Sequence, residues 1–347
     1  MHNSWLLKHF DKVSPLPQEK LKGQSAPLYT YSQFKTDFVD VAADDLTFNQ
    51  KIYALPLYID SLALYYNKDM FNSAGIAQPP ATWDEFNDDV KRLRVLDERG
   101  NIVRAGATVG MVKNINRPSD ILSLLMIQFG AQMTDAQATT ALFGESVNGI
   151  AVGQDSLQYY TDFAQPLKSD VYTWNDSQHY SIDAFAEGSS AMMLNYSHHI
   201  KTLREKSGRF NFGVAPVPQP KGSTTAVSYA NYWAPTVSKQ SKNAIEAWKF
   251  VQFLTSKEGV SMYLRAAERP TARRDVIASQ RTLPELGVFA TQALTARSWY
   301  QPDDTAVETI FSQAIDDVNL GKTTPKEAIR FAQDQVNIVF RQIRNKP

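Results

Sequence analysis

Tyr53-Ala54-Leu55-Pro56-Leu57-Tyr58-Ile59-Asp60-Ser61-Leu62-Ala63-Leu64-Tyr65-Tyr66-Asn67-Lys68-Asp69-Met70-Phe71, then Gly75-Ile76, Pro79-Pro80 and Thr82-Trp83-Asp84-Glu85-Phe86, is the stretch whose reading decides the fold. Its first part, with Ile52, is β-branched and aromatic and reads as a strand over 52–59. Pro56 has no N–H to give a ladder, so this strand belongs at an edge or a crossover. Tyr65 and Tyr66 lie in an apolar strand, where core packing explains them better than a tyrosinate metal site. Residues 66–75 read as a short helix that Gly75 stops, because glycine takes the left-handed turn without steric cost. Thr82 and Glu85 form a capping box, each side chain reaching the other's backbone N–H. Phe86, Val90 and Leu93 then share one helical face.

The same signals recur outward from this stretch. Thr255-Ser256-Lys257-Glu258 reads as a second capping box. Thr324-Pro325-Lys326-Glu327 reads as a third, with Pro325 where a helix tolerates it best. Behind it Ile329, Ala332, Val336, Val339 and Ile343 fall on one stripe. A helix over 244–254 turns Trp248 and Val251 inward. Strands are expected at 190–194 and 210–215, the latter ending in a Pro-rich turn at 216–220. Strands interleaved with helices argue an α/β fold. At ~150 residues per domain, 347 residues make two domains. No long linker separates them, so the chain should cross between lobes more than once through short hinge strands.

Composition removes several classes. Lys+Arg and Asp+Glu are 36 each, so the chain lacks the basic excess of a dedicated nucleic-acid binder. Cys is 0, which excludes disulfides, Cys-ligated zinc and thiol catalysis. The longest apolar stretch, near 121–129, falls well short of the ~20 residues of a membrane span. Residues 1–10 lack the basic start and apolar run of a signal peptide. G-x-x-x-x-G-K-[ST], G-x-S-x-G and H-E-x-x-H are all absent. His198 and His199 are adjacent, and neighbours on a strand point to opposite faces, which suits no metal. No catalytic residue, metal or cofactor is expected. A glycan-active enzyme would need two opposed acids, which no spacing here singles out.

The order Pro56, Tyr66-Asn67-Lys68-Asp69, Gly75 and Pro80-Ala81-Thr82-Trp83-Asp84-Glu85 closely resembles the maltose-type extracellular solute-binding proteins of ABC importers. Phe185-Ala186-Glu187-Gly188-Ser189-Ser190-Ala191-Met192-Met193 is similar to the family's strand entering its cleft. Phe212-Gly213-Val214-Ala215-Pro216-Val217-Pro218 matches the Pro-rich exit from a lobe. Residues 233–243 with the helix bearing Trp248, Arg269-Pro270-Thr271-Ala272-Arg273-Arg274, and Gly321-Lys322-Thr323-Thr324-Pro325-Lys326-Glu327-Ala328 match later pieces.

The resemblance covers essentially the whole chain. It implies a two-lobed α/β periplasmic-binding-protein fold with hinge crossover strands. Lobe 1 would comprise 1–58 and 229–272, and lobe 2 would comprise 59–228 and 273–347. It implies a binding protein without catalytic activity that clamps a small solute, most simply a sugar, and delivers it to ABC permease subunits. A non-sugar solute such as a polyamine or iron, on the same fold, is the rival reading. The protein would be a monomer, extracellular or periplasmic, with a lipid anchor in a full-length form. The family's export signal and first strand–helix–strand unit are not matched, so lobe 1 is expected to be incomplete and the less stable half.

Site residues carry over one at a time. His2-Asn3-Ser4-Trp5 matches the first cleft loop, which nominates Asn3 and Trp5. Asp60 falls where the family sets a carboxylate beside the hinge strand. Trp233 matches a stacking aromatic, and Asn231 and Tyr232 replace two glycines before it, nominating Tyr232 as well. The loop 114–119 has Arg117 and Ser119 where maltose binders carry an acid and an aromatic, nominating Asn116 and Arg117. His198, after Tyr196-Ser197, stands where a stacking Trp is usual. Trp299, beside Tyr300, takes the place of the last cleft aromatic. These departures replace two rings with a cation and open the reading to a smaller or anionic sugar.

Overall fold

The computed structural model of the protein describes residues 1–19, 27–207 and 211–344. Local signals in the deciding stretch act as their chemistry requires. The Asn67 side chain accepts from Met70 N at 3.0 Å and starts the helix Lys68–Ser73. Gly75 ends that turn at φ +66°. Thr82 and Glu85 close a reciprocal capping box on the helix Trp83–Leu93, which buries Trp83, Phe86, Val90 and Leu93. Thr324 and Glu327 make the same exchange ahead of Pro325–Arg344, where Ile329, Ala332 and Val336 are buried. At 255–258 the cap is Ser256, which accepts from Gly259 N at 3.1 Å. Thr255 instead returns its hydroxyl to Val251 O at 2.9 Å, closing the preceding helix Ala244–Leu254.

The strand expected over 52–59 forms ladder pairs only at Lys51–Ile52, which turns back on Thr47–Phe48. Beyond it Pro56 breaks the pattern of donors, and the backbone finds other partners. Leu55 N donates to Pro235 O, Ile59 N to Pro270 O, and Tyr58 bridges Thr271. Leu55 and Ile59 thus satisfy their amides on irregular neighbours in place of a regular ladder. Residues 190–194 do form a strand, Ser190–Asn195, buried throughout. Of the strand read over 210–215, Phe212–Ala215 is formed, and Phe210 lies outside the described residues.

The chain divides into two compact units, Met1–Ser61 with Ala230–Asp303 and Leu62–Tyr229 with Asp304–Pro347. It passes between them three times. Two of the passages run in Asp60–Ser61 and Ser228–Asn231, which pair antiparallel through Ser61–Ala230 and Asp60–Asn231. Residues 273–303 lie in the first unit, whereas the sequence division gave them to lobe 2. The reason is packing: Ile277, Ala293 and Ala296 share a core with Phe34, Phe38, Tyr232 and Trp248. Arg274 also donates to Phe38 O and pairs with Asp40.

The second unit is built on a five-stranded mixed sheet in the order Val95–Leu96, Ile102–Thr108, Ser190–Asn195, Ala63–Asn67, Phe212–Ala215. The central Ser190–Asn195 strand runs parallel to Ile102–Thr108 and antiparallel to Ala63–Asn67. Gly106 is required where the helix Trp83–Leu93 lies on this sheet, since a Cβ there would meet Val90 O at 2.5 Å. The first unit has only short ladders among its described residues. Val13–Ser14 pairs with Val237–Ser238, and a three-stranded sheet joins Ala296–Arg297, Ser228–Asn231 and Asp60–Ser61. No helix among the described residues is long and apolar enough to cross a membrane.

Candidate functional site

In the first unit the N-terminal residues lie along the segment 231–234. Asn3 N donates to Tyr232 O at 3.0 Å, Ala234 N donates to Met1 O at 2.8 Å, and His2 bridges Trp233. Extended residues alternate faces. Tyr232 therefore turns inward and is fully buried, while Trp233 turns outward and is 49% exposed. Trp5, in the 3-10 turn Asn3–Trp5, meets Trp233 edge-on, with ring centroids 5.0 Å apart at 76°. His2 packs against both rings at 5.8 and 5.4 Å. Its ring nitrogens are fixed by Ser4 Oγ at 2.8 Å and Asn231 Oδ1 at 3.1 Å. Lys8 lies 5.8 Å from the Trp5 ring centre and pairs with Asp303 at 2.9 Å. The result is an aromatic face with an exposed indole and polar groups beside it.

Beneath that face, Asp45 gathers three donors. Asn3 Nδ2 reaches it at 3.0 Å and Tyr232 Oη at 2.8 Å, and Ser298 Oγ donates to its other oxygen. Burial raises the Asp45 carboxyl to about 6, and the three hydrogen bonds oppose that shift. Burial and the facing Asp45 together hold the Tyr232 phenol well above its ordinary value.

In the second unit Arg117 reaches Asp120 directly and His198 reaches it through Tyr196, while Asn116 is held separately by Ser181 and Tyr180. Arg117 stands at the start of the helix Pro118–Phe129 with φ 58° and ψ 48°. A left-handed arginine costs roughly 1–2 kcal/mol, so something must hold it there. Its Nε donates to Asp120 Oδ2 at 2.9 Å, and Glu308 lies 4.0 Å from Nη1. Tyr196 donates its hydroxyl to the same Asp120 oxygen at 2.6 Å. His198, exposed, stacks on Tyr196 with centroids 5.9 Å apart and planes at 10°. Asn116 is anchored by Ser181 Oγ at its N–H and by Tyr180 Oη at its side chain. The Arg117 guanidinium is held well above its ordinary pKa, chiefly by Asp120.

Two clusters thus account for seven of the nine nominated residues: Asn3, Trp5, Tyr232 and Trp233 in one, Asn116, Arg117 and His198 in the other. The nominated residues differ in exposure. Asn3 and Tyr232 are buried and support the face from below. Asp60 is 2% exposed and already accepts from Ser61 N and from Arg269 Nη1 at 3.1 Å. Arg269 in turn covers the Tyr58 ring at 5.3 Å. Asp60 is thus a compensated carboxylate at a crossing strand. Trp299 is 5% exposed, packed inside the first unit after Ala296–Arg297. Sequence reading passed over Asp45, Ser298, Asp120 and Glu308. Only Asp120 left a local trace, its i,i+3 spacing from Arg117. Asp45 and Ser298 meet across 253 residues of chain. No cluster of His, Asp and Glu among the described residues could hold a metal ion.

A family model described as bacterial extracellular solute-binding protein matches residues 9–286. A binding protein of Brucella abortus (strain 2308) is 24% identical over 336 residues, 92% of this chain and 76% of its own. The crystal structure of a cyclo/maltodextrin-binding protein complexed with maltotetraose aligns at TM-score 0.75 and 22% identity, covering 99% of this chain and 82% of that one. A glycerophosphocholine complex of a binding protein from Mycobacterium tuberculosis aligns at TM-score 0.72 and 18% identity, covering 99% and 83%. The fold is therefore the two-lobed solute-binding one, and the chain belongs to the bacterial extracellular solute-binding proteins, receptors that serve ABC importers and are not enzymes.

Proposed function

We propose that the solute is a neutral carbohydrate, which the protein takes up as an extracellular monomer, lipid-anchored in a full-length form, and hands to the membrane subunits of an ABC permease. The observation that carries this reading is the Trp5–Trp233 pair, with one indole half exposed and held edge-on by the other. Sugar rings present C–H faces that stack on such a surface, and their hydroxyls bond to nearby imidazole and amide groups. The complex of a similar protein with maltotetraose points the same way.

Charge separates neutral from anionic solutes. Arg117 is matched by Asp120 at 2.9 Å and faced by Glu308 at 4.0 Å, so the cation is already neutralised. A phosphate or uronate would have to displace a buried carboxylate from it, which costs several kcal/mol of desolvation per ion. Arg117→Ala should therefore weaken neutral and acidic solutes by similar factors. A loss at least ten times greater for acidic ones would restore an anion-binding role.

A thermal-shift series tests the proposal directly. The purified chain is heated with maltotetraose, glucose, glucuronate, glycerol 3-phosphate and a polyamine. A bound solute at 100 times its Kd should add about 2.7 kcal/mol of stability. Stabilisation by a neutral sugar is expected. Stabilisation by the phosphate or the polyamine alone would overturn the carbohydrate reading while leaving the family intact.

A further inference from the structure

We propose that Asp45 is the positioning residue of the aromatic face: its ionised carboxylate ties together the turn that carries Trp5, the segment that carries Trp233 and the segment that leads into Trp299. Three donors from three distant parts of the chain end on this one group, Asn3 two residues before Trp5, Tyr232 directly before Trp233, and Ser298 directly before Trp299. Asp45 sits in the helix Asp40–Leu46, whose Val41, Ala42 and Leu46 are buried in the unit's core. The hub is therefore mounted on a core helix, while the tied segments are a single 3-10 turn and two stretches that follow strand ends. Asn3 and Tyr232 are also joined directly, by Asn3 N to Tyr232 O and by Tyr232 N to the Asn3 side chain. Ser298 reaches the other two segments through Asp45, whose second oxygen takes Asn3 and Tyr232.

An ionised carboxylate accepts from all three donors at once. A protonated one carries an O–H of its own, so one facing hydroxyl, of Tyr232 or Ser298, must turn and accept. Loss of the charge therefore loosens one tie. The groups around it set the window. Burial favours the protonated form, and Asp44 on the same helix adds to that. Asp44 is itself countered by Arg297 from the strand Ala296–Arg297 and by Lys35 from the helix Tyr31–Asp37. The Thr47–Phe48 strand, which follows the helix, brings no titratable side chain. His2 and His9 lie in the aromatic cluster above, and His9 is held below its ordinary value by burial and by Lys12 and Lys8. Together with the Asp45 carboxyl at about 6, these place the change between roughly pH 5 and 7.

The test needs no solute, so it stands apart from the identity of the ligand. Intrinsic tryptophan emission of the solute-free protein is followed from pH 8 to pH 4.5, with far-UV circular dichroism as the control for folding. The wild type should show a step near pH 6 that Trp233→Phe diminishes. Asp45→Asn, which imitates the protonated acid, should show the low-pH emission at pH 8 and no step. Tyr232→Phe removes one donor and should move the midpoint upward. His2→Gln and His9→Asn should keep the step. Absence of the step in the wild type, its persistence in Asp45→Asn, or its loss in His2→Gln or His9→Asn would overturn the proposal. If Asp45→Asn fails to fold, the direction of the Tyr232→Phe shift decides: a midpoint that stays or falls rejects the assignment.

Discussion

Trp233→Ala should weaken binding of the recognised sugar by about tenfold or more, ~1.4 kcal/mol, with little change in the stability of the free protein. The two halves of this expectation have different physical grounds. Trp233 is 49% exposed, so its removal deletes only part of a buried contact. Substitutions at such sites usually stay within about 0.5 kcal/mol unless a named feature is lost. The feature here is the edge-to-face contact with Trp5 at 5.0 Å, of the kind that contributes about 0.5–1.5 kcal/mol beyond burial. Trp5 keeps its ring contacts with His2 and His9, which limits the loss in the free state. In the complex the missing indole removes the apolar platform, and the hydroxyl partners cannot replace it. Titration calorimetry with the sugar found by thermal shift gives the affinity, and the melting temperature gives the stability. An unchanged Kd in a folded Trp233→Ala protein would make Trp233 a framework residue and shift the carbohydrate contacts elsewhere.

What the sequence made legible has a common property: its determinants lie within a few residues of each other. Asn67 caps a helix through Met70, Thr82 through Glu85 and Thr324 through Glu327. Each is readable because partner and cap share one turn. The shift from Thr255 to Ser256 shows the limit of that reading, since two adjacent hydroxyls compete and geometry at the end of the preceding helix decides. The site was legible as a set of loops and illegible in its phase. Whether Tyr232 or Trp233 faces out depends on pairing with residues 1–3, some 229 residues away. Asp44 and Asp45 look alike in sequence, yet only Asp45 turns toward Asn3, Tyr232 and Ser298. Arg117 reads as a free cation until Asp120 and Glu308 are seen beside it. The placement of 273–303 depended likewise on which core their apolar faces joined, a long-range fact.

Trp248→Ala should cost the first unit about 3–5 kcal/mol, the scale for truncating a fully buried Trp, and unfold it ahead of the second. Trp248 is 0% exposed, in the helix Ala244–Leu254, and shares a core with Phe34, Phe38 and Tyr232. Its Nε1 is buried without a hydrogen-bond partner. Trp248→Phe should therefore be far milder than Trp248→Ala. It keeps a ring in the core and removes a donor whose unpaired burial costs about 1–3 kcal/mol. The asymmetry between units follows from their ladders. The described strands of the first unit are two to four residues long, whereas the second has five strands around Ser190–Asn195, buried along its whole length. Amides of a central strand paired on both sides exchange only through large openings, while short ladders open locally at lower free energy. Hydrogen exchange of the wild type should thus find the slowest amides in Ser190–Asn195 and Ala63–Asn67. In Trp248→Ala, protection should fall throughout Ala244–Leu254 and Asp40–Leu46 while the five-stranded sheet keeps its own. Equal loss in both units would mean that they unfold as one cooperative body, and that the short ladders of the first are stabilised by more than their own core.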